Sequence, residues 1–276
     1  MNLPGNCMRS VSRGKIPIRE SEVMIFPAPK KELRAFQADL HIHTCLSPCG
    51  DWEMGPVNII EKSRQMNLDI IAVCDHNTAE NADAVMKAGK KGGIAVLPGL
   101  EICSREEVHI LSVFNELPQA TAMQEFVYRH LKGENTPEIF GHQVIADQNN
   151  IVKGENEKLL IGATDLGILE IVDRIHVLGG LGIAAHIDRK VFSIIQQLGF
   201  IPSDIPLDGV ELSPFAGPAY DRNQYPGAEK FPVITSSDAH FPADIGKVRT
   251  IFFISEPTIS EIRLALTRQN GRKAEV

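Results

Sequence analysis

The chain has no apolar run of membrane-spanning length, no C-x-x-C pair, no internal repeat and no excess of basic residues. Each absence removes a class of function. Without about 20 consecutive apolar residues, no helix can span a bilayer. Met1 to Lys31 has scattered basic residues but no continuous apolar stretch and no small-residue cleavage site, so no signal peptide is read and a cytoplasmic location is expected. Five cysteines, Cys7, Cys45, Cys49, Cys74 and Cys103, form no even disulfide framework, so reduced thiols are expected. The formal net charge of -7 argues against broad attraction to nucleic acid or anionic membrane, and leaves only a local basic pocket for such ligands.

What is present suits one large α/β domain. With 276 residues, 43% of them apolar, the chain can bury a substantial core. Residues 1–34, with several Gly and Pro, read as an extended arm carrying one edge strand at Val23–Phe26. Residues 35–276 read as the main domain, because from Phe36 short apolar runs alternate with helical periods, the pattern of βα units and a mainly parallel sheet. Strands are expected at 36–43, 68–74, 93–97, 108–114, 181–185, 208–212, 231–235 and 250–254. Helices are expected after Pro56 and at 79–91, 166–178 and 259–266. Between about 115 and 164 the alternation fails. A helix at 120–131 and a hairpin from 142–146 and 150–152 there read as a small insertion that caps the site.

The chemistry lies at the ends of the apolar runs. In Asp39-Leu40-His41-Ile42-His43-Thr44 a strand puts both imidazoles on one face, where a single ion could be gripped by both. Later runs end in Asp75-His76, Glu101, His186 and Asp238-Ala239-His240. Five of the nine histidines, His41, His43, His76, His186 and His240, therefore sit at strand ends, which share one face in a parallel barrel. His109 starts its strand and reaches that face only if the strand is short or runs the opposite way. His130, His142 and His176 read as structural or surface residues. Six imidazoles with Asp75, Glu101 and Asp238 are too many ligands for one ion, and imply two or three clustered divalent cations, with Zn, Mn or Fe suiting the mixed donor set. Such a cluster lowers the pKa of water to about 7 and clamps both oxygens of an in-line displacement, the need of phosphoester hydrolysis.

These motifs, with Pro98-Gly99-Leu100-Glu101, His109-Ile110-Leu111 and Ala185-His186 in the same order, resemble the PHP family (polymerase and histidinol phosphatase domain) over roughly residues 36–255. The resemblance implies a distorted seven-stranded (β/α) TIM-like barrel, a trinuclear metal centre and phosphomonoester hydrolysis. It implies that His41, His43, Glu101 and Asp238 hold one metal and that Glu101, His109 and His186 hold a second. His76 and His240 hold the third, with Asp75 as a ligand or as the partner of an imidazole, and Asp39 orients a histidine. The first loop departs from the family pattern. Where relatives place an Asp or His ahead of the loop glycine, this chain reads Ser47-Pro48-Cys49-Gly50-Asp51. Cys49 is carried forward as the ligand, with Asp51, or a weak third site, as the alternatives. Cys45, Cys74 and Cys103 read as small buried fillers.

Arg189 is the expected phosphate clamp, ahead of Arg222, Lys247 and Arg249. The function expected is hydrolysis of a small phosphomonoester, such as a nucleotide or nucleoside bisphosphate, by a metal-activated hydroxide. The partners expected are a small phosphorylated substrate, no stable nucleic-acid complex and no membrane. The alternatives are an exonuclease acting on short oligonucleotides and a non-catalytic metal-binding regulatory module.

Overall fold

Strand β2 (Ile70–His76) has every residue buried, because a central parallel strand is covered on both faces, and its run Ile-Ile-Ala-Val-Cys is the composition that requires. It pairs in parallel with β1 (Arg34–Ile42) and β3 (Ala95–Cys103). The computed structural model describes residues 1, 32–217, 221 and 224–276. The strand expected at Val23–Phe26, the rest of the arm to residue 31, Cys7 and Arg222 lie outside the described residues.

The remaining strands of the main sheet are β4 (His109–Val113), β7 (Leu181–Ala184), β8 (Gly209–Leu212), β9 (Val233–Thr235), β10 (Thr250–Ile254) and β11 (Lys273–Glu275). Their order is β11-β10-β1-β2-β3-β4-β7-β8-β9. Beyond β9 the chain returns to β1 through a parallel bridge between Ile42 and Ala239, so the seven strands from β1 to β9 in that order form a nearly closed barrel. Nine strands rather than seven make up the sheet, since β10 pairs antiparallel with the outer edge of β1 and β11 pairs with β10. A second difference decides the site. β4 is antiparallel to both β3 and β7, so its first residue lies beside the last residue of β3, with His109 opposite Cys103.

Two further differences have local causes. β3 runs straight through Pro98 and Gly99. A Cβ on Gly99 would sit 2.5 Å from the Ser112 carbonyl oxygen and 2.8 Å from Cys74 Sγ, so only glycine lets β4 and β2 close on it. The insertion holds α3 (Leu117–His130), α4 (Pro137–Phe140) and the hairpin of β5 (Val144–Ala146) with β6 (Val152–Glu155). It is tied to the loop after β1: Leu46 packs with Leu131 and Leu160, and Cys45 with Val144 and Ala146.

The barrel interior is filled by Ala38, Leu40, Ala72, Cys74, Leu97, Leu111, Ile183 and Ala185, drawn from strands on opposite sides of the ring. Outside it pack α1 (Pro56–Gln65) and α2 (Ala82–Gly92), with α5 (Ile168–Val177) and the short α6 (Ile194–Leu198) on another side. Helix α5 buries Ile168, Ile171, Val172 and Ile175, one stripe at helical spacing. No helix among the described residues is long and apolar enough to cross a membrane.

Helix α7 (Ile259–Leu266) begins at Thr258, whose side chain accepts from the Glu261 amide. Glu261 also accepts from Arg272 Nε and Nη2, each at 2.7 Å, which fastens the last strand to the helix. The Arg272 bonds hold the Glu261 carboxyl at about 2, below its ordinary 4.5. A depressed folded pKa contributes stability that is complete above the unfolded value and lost as pH falls through the folded one. Glu261→Gln is therefore expected to lower unfolding free energy by about 1–2 kcal/mol at neutral pH, after allowance for solvent screening. Urea midpoints of variant and wild type should separate at pH 7 and converge as pH falls from 4.5 towards 2. A gap of constant size would show that the charge is not its source.

Candidate metal centre

The C-terminal ends of the barrel strands, together with the start of the antiparallel β4, bring His41, His43, His76, Glu101, His109, His186, Asp238 and His240 to one face. Glu101 is at the centre and is 1% exposed. Its Oε1 lies 2.8 Å from His109 Nδ1, 3.0 Å from His186 Nε2 and 3.4 Å from His41 Nε2. Its Oε2 lies 2.9 Å from His76 Nδ1 and 3.4 Å from His43 Nε2. Asp238 Oδ1 is 3.4 Å from His41 Nε2 and 3.3 Å from His43 Nε2.

The neighbours of the two histidines of β1 define their tautomers. His41 Nδ1 donates to Glu211 Oε2 at 3.0 Å, and His43 Nδ1 donates to Ser47 Oγ at 2.8 Å. Both Nε2 lone pairs then face inward, 3.1 Å apart, against two carboxylates. With both rings neutral, four acceptors meet there with no donor between them, and Glu101 Oε2 and Asp238 Oδ1 are buried without a hydrogen bond. Ligand separations of about 3.3 Å are what tetrahedral bonds of about 2.0 Å produce, so the residues present fit a divalent cation. His41, His43 and Glu101 form one set of converging ligand atoms, His76, Glu101 and His109 a second, and His43, His76 and His240 a third.

Electrostatics lead to the same conclusion. Burial works against charging His41, yet Glu211, Asp238 and Glu101 outweigh it and lift its pKa well above the ordinary imidazole value. Burial alone would raise the Glu101 carboxyl, but His109, His41 and His76 hold it well below the ordinary carboxylate range. The carboxylates thus draw positive charge into the site.

Other expected residues are placed differently. Asp39 accepts from the main-chain amides of Ser237 at 3.0 Å, Gly246 at 2.9 Å and His41 at 3.5 Å. It braces the backbone on which His41 and Asp238 stand, in place of the expected contact with a histidine ring. Asp75 is satisfied by Thr44 N, Thr44 Oγ1 and Ser47 Oγ at 2.7, 2.8 and 2.7 Å, so it acts on His43 through Ser47 and does not join the cluster. Of the two loop candidates, Cys49 is in the cluster, with Sγ 3.2 Å from His76 Nε2. Asp51 turns away and accepts from the Glu53 amide. Desolvation opposes ionisation of the Cys49 thiol, but His76 and His240 pull it down to about 5. Cys45, Cys74 and Cys103 are buried, and burial pushes all three thiols up. Arg189 Nη1 donates to Asp238 Oδ2 at 2.5 Å, and Arg249 is spent on the Met66 and Gly246 carbonyls. His130, His142 and His176 lie apart, paired with Asp165, Glu155 and Asp208.

Glu211 is the residue missed. It is fully buried on β8 and joins His41 Nδ1 to the His186 amide, which donates to Oε2 at 3.1 Å, while Oε1 has no partner. A carboxylate inside the run Gly209–Leu212 is the signal that could have found it, since such a charge is buried only with a partner. His186 and Asp238 have left-handed backbone, with φ of 28° and 50°, a cost that side chains bear where the site dictates their aim.

A barrel whose strand ends converge on a ring of imidazoles and carboxylates presents His and Glu clusters that could hold metal ions. The family model described as PHP domain matches residues 39–191 and one described as PHP-associated matches residues 228–270. The chain belongs to the PHP domain family, a class of metal-dependent phosphoric ester hydrolases. It is 30% identical over 90 residues to a 5'-3' exoribonuclease of Haemophilus influenzae, covering 31% of this chain and 32% of that protein. The lesion-specific endonuclease of Pyrococcus furiosus superposes with a TM-score of 0.62 at 20% identity, covering 87% of this chain and 58% of that one. An Endonuclease Q bound to a 27-mer duplex with an abasic lesion at its active site gives 0.63, at the same identity and coverage. The chain thus spans little more than half of these endonucleases and about a third of the exoribonuclease. The expectation of a small substrate with no nucleic-acid complex is corrected by these neighbours, because a chain of this fold has been solved on duplex DNA.

Glu211→Gln is expected to weaken binding of the most tightly held divalent cation about 10–100-fold, because it loosens His41 and His186 together. Competition with a chromophoric chelator measures this, with circular dichroism as the check on folding. Unchanged affinity in a folded variant would remove Glu211 from the site.

Proposed function

We propose that the chain hydrolyses phosphodiester bonds in nucleic acid, taking an unpaired nucleotide into the cleft above the cluster. The observation that carries this reading is the rim of that cleft, a cavity of about 750 Å³ lined by Cys49, His76, Glu101 and His240 at its floor. Its walls combine Phe192, Phe215 and Phe241 with Arg189, Lys190 and Lys247, the last paired with Asp244. Phe215 and Phe241 are 81% and 51% exposed, and exposed aromatic rings beside cations are the composition that stacks bases and follows a phosphate backbone. The exoribonuclease and endonuclease names of the similar proteins support the same substrate class.

In this reading His41, His43, Glu101 and Asp238 hold one cation, Glu101, His109 and His186 a second, and His76 and His240 a third. Bound there, divalent cations of the Zn, Mn or Fe kind supply Lewis acidity and bring the pKa of water to about 7. The rest is done by the chain. Arg189 uses one N–H on Asp238, and its remaining donors neutralise the phosphate. Lys190 and Lys247 draw the backbone inward, and Phe215 and Phe241 hold the base. The insertion at about 115–164, whose Ile161 lines the cleft, caps the site against bulk water.

The double variant Phe215→Ala, Phe241→Ala is expected to raise KM for a single-stranded oligonucleotide about 10-fold or more, since each base–aromatic stack is worth about 1–3 kcal/mol. It should leave KM for an abasic oligonucleotide, whose sugar-phosphate diesters carry no base, unchanged. Equal losses on both substrates, or no cleavage of any oligonucleotide by Mn-, Zn- or Fe-loaded protein, would overturn the proposal.

A further inference from the structure

The loop after β1 is built to hold one sulfur still. Gly50 donates its amide to the Ser47 carbonyl at 2.8 Å, and a Cβ there would lie 2.5 Å from the Thr44 carbonyl oxygen, so only glycine closes this turn. Before the turn, Ser47 Oγ bonds Asp75 and His43; after it, the Asp51 amide donates to the His240 carbonyl at 2.8 Å. Cys49 is suspended between these two anchors, with Sγ 3.2 Å from His76 Nε2. His240 Nδ1 donates to the Asp238 carbonyl at 2.9 Å, which leaves its Nε2 lone pair free. The ligand atoms of His43, His76 and His240 lie within 4.8 Å of one another. On the far side of His76, Glu101 Oε2 is buried without a hydrogen bond, 2.9 Å from Nδ1.

We propose that Cys49 binds, as a thiolate, a divalent cation held also by His76 and His240, and that this third position selects zinc or iron over manganese and magnesium. Soft sulfur with two imidazoles favours the first pair, whereas oxygen-rich sites suit the second. The thiol proton passes to solvent as the sulfur binds. Cys49, His76 and His240 all line the cleft, so the position keeps an open side, as catalytic sites with three protein ligands do. Nothing in this assignment depends on which phosphate ester is cleaved.

Cobalt(II) alone is the probe. The full chain, stripped by chelation and saturated with cobalt, is expected to show the intense near-ultraviolet charge-transfer absorption of a cobalt thiolate. Cys49→Ser should lose that absorption while keeping its circular dichroism, and should bind one cobalt fewer per chain. Cys49→Asp should regain the cobalt without the absorption, and should shift preference towards manganese in competition. The absorption surviving in Cys49→Ser, or absent from cobalt-saturated wild type, would overturn the proposal.

Discussion

The centre depends on an arrangement that no uncharged side chain could satisfy: acceptors facing acceptors around Glu101. While the rings are neutral, two Nε2 lone pairs and two carboxylates meet at 3.1–3.4 Å with no hydrogen to share. Burying one unpaired carboxylate costs several kcal/mol, and here Glu101 and Asp238 are buried together. In an ion-free chain the balance is met by protons on His41 and His76. Divalent cations meet it better, because each takes the place of a proton with twice the charge and a fixed geometry. The strand ends form a centre only because the barrel brings mutually repelling groups close enough to need one.

That closeness is imposed from below and behind. Ala38, Leu40, Cys74 and Ala185 fill the barrel beneath the ring with buried, close-packed side chains. Behind the imidazoles, Glu211 orients His41, Ser47 with Asp75 orients His43, and Asp39 ties the backbone of β1 to Ser237 and Gly246. Asp39 is fully buried, and burial lifts its carboxyl to about 6 against its hydrogen bonds to Ser237, Gly246 and His41. Its role is closure of the barrel, since the segment it grips is the one that bridges to Ile42. A carboxylate beside a metal motif in sequence can thus serve the backbone rather than the ion.

The parts that were legible in the sequence obey local rules. Buried parallel strands announce themselves as apolar runs, so β2, β7 and β8 stood out, and an imidazole or acid at the end of each run marked the face that converges. His109 looked out of place until the antiparallel run of β4 put a strand start among strand ends. What stayed hidden depends on distant partners. Glu211 is 170 residues from His41 and belongs to no motif. Asp75 sits next to a true cluster residue, and only the position of Ser47 and Thr44 turns it away. Strand β11 is Lys-Ala-Glu, without an apolar pattern, and exists because β10 offers an edge and Arg272 fastens it to α7.

The net charge of -7 bears on substrate less than it first suggests. Average charge governs attraction at a distance, and beyond about 8 Å salt screens it at physiological strength. Within the cleft the count is different. Arg189, Lys190 and Lys247 line the walls, Lys247 paired there with Asp244, and cations at the floor would reverse the sign of the Glu101 and Asp238 field. Under the proposed reading, an acidic chain whose cleft is made cationic by bound metal would repel the long flanks of a polynucleotide while holding the nucleotide being cut. That combination would favour short or terminal engagement over wrapping, and would leave base stacking on Phe215 and Phe241 to supply what long-range attraction cannot.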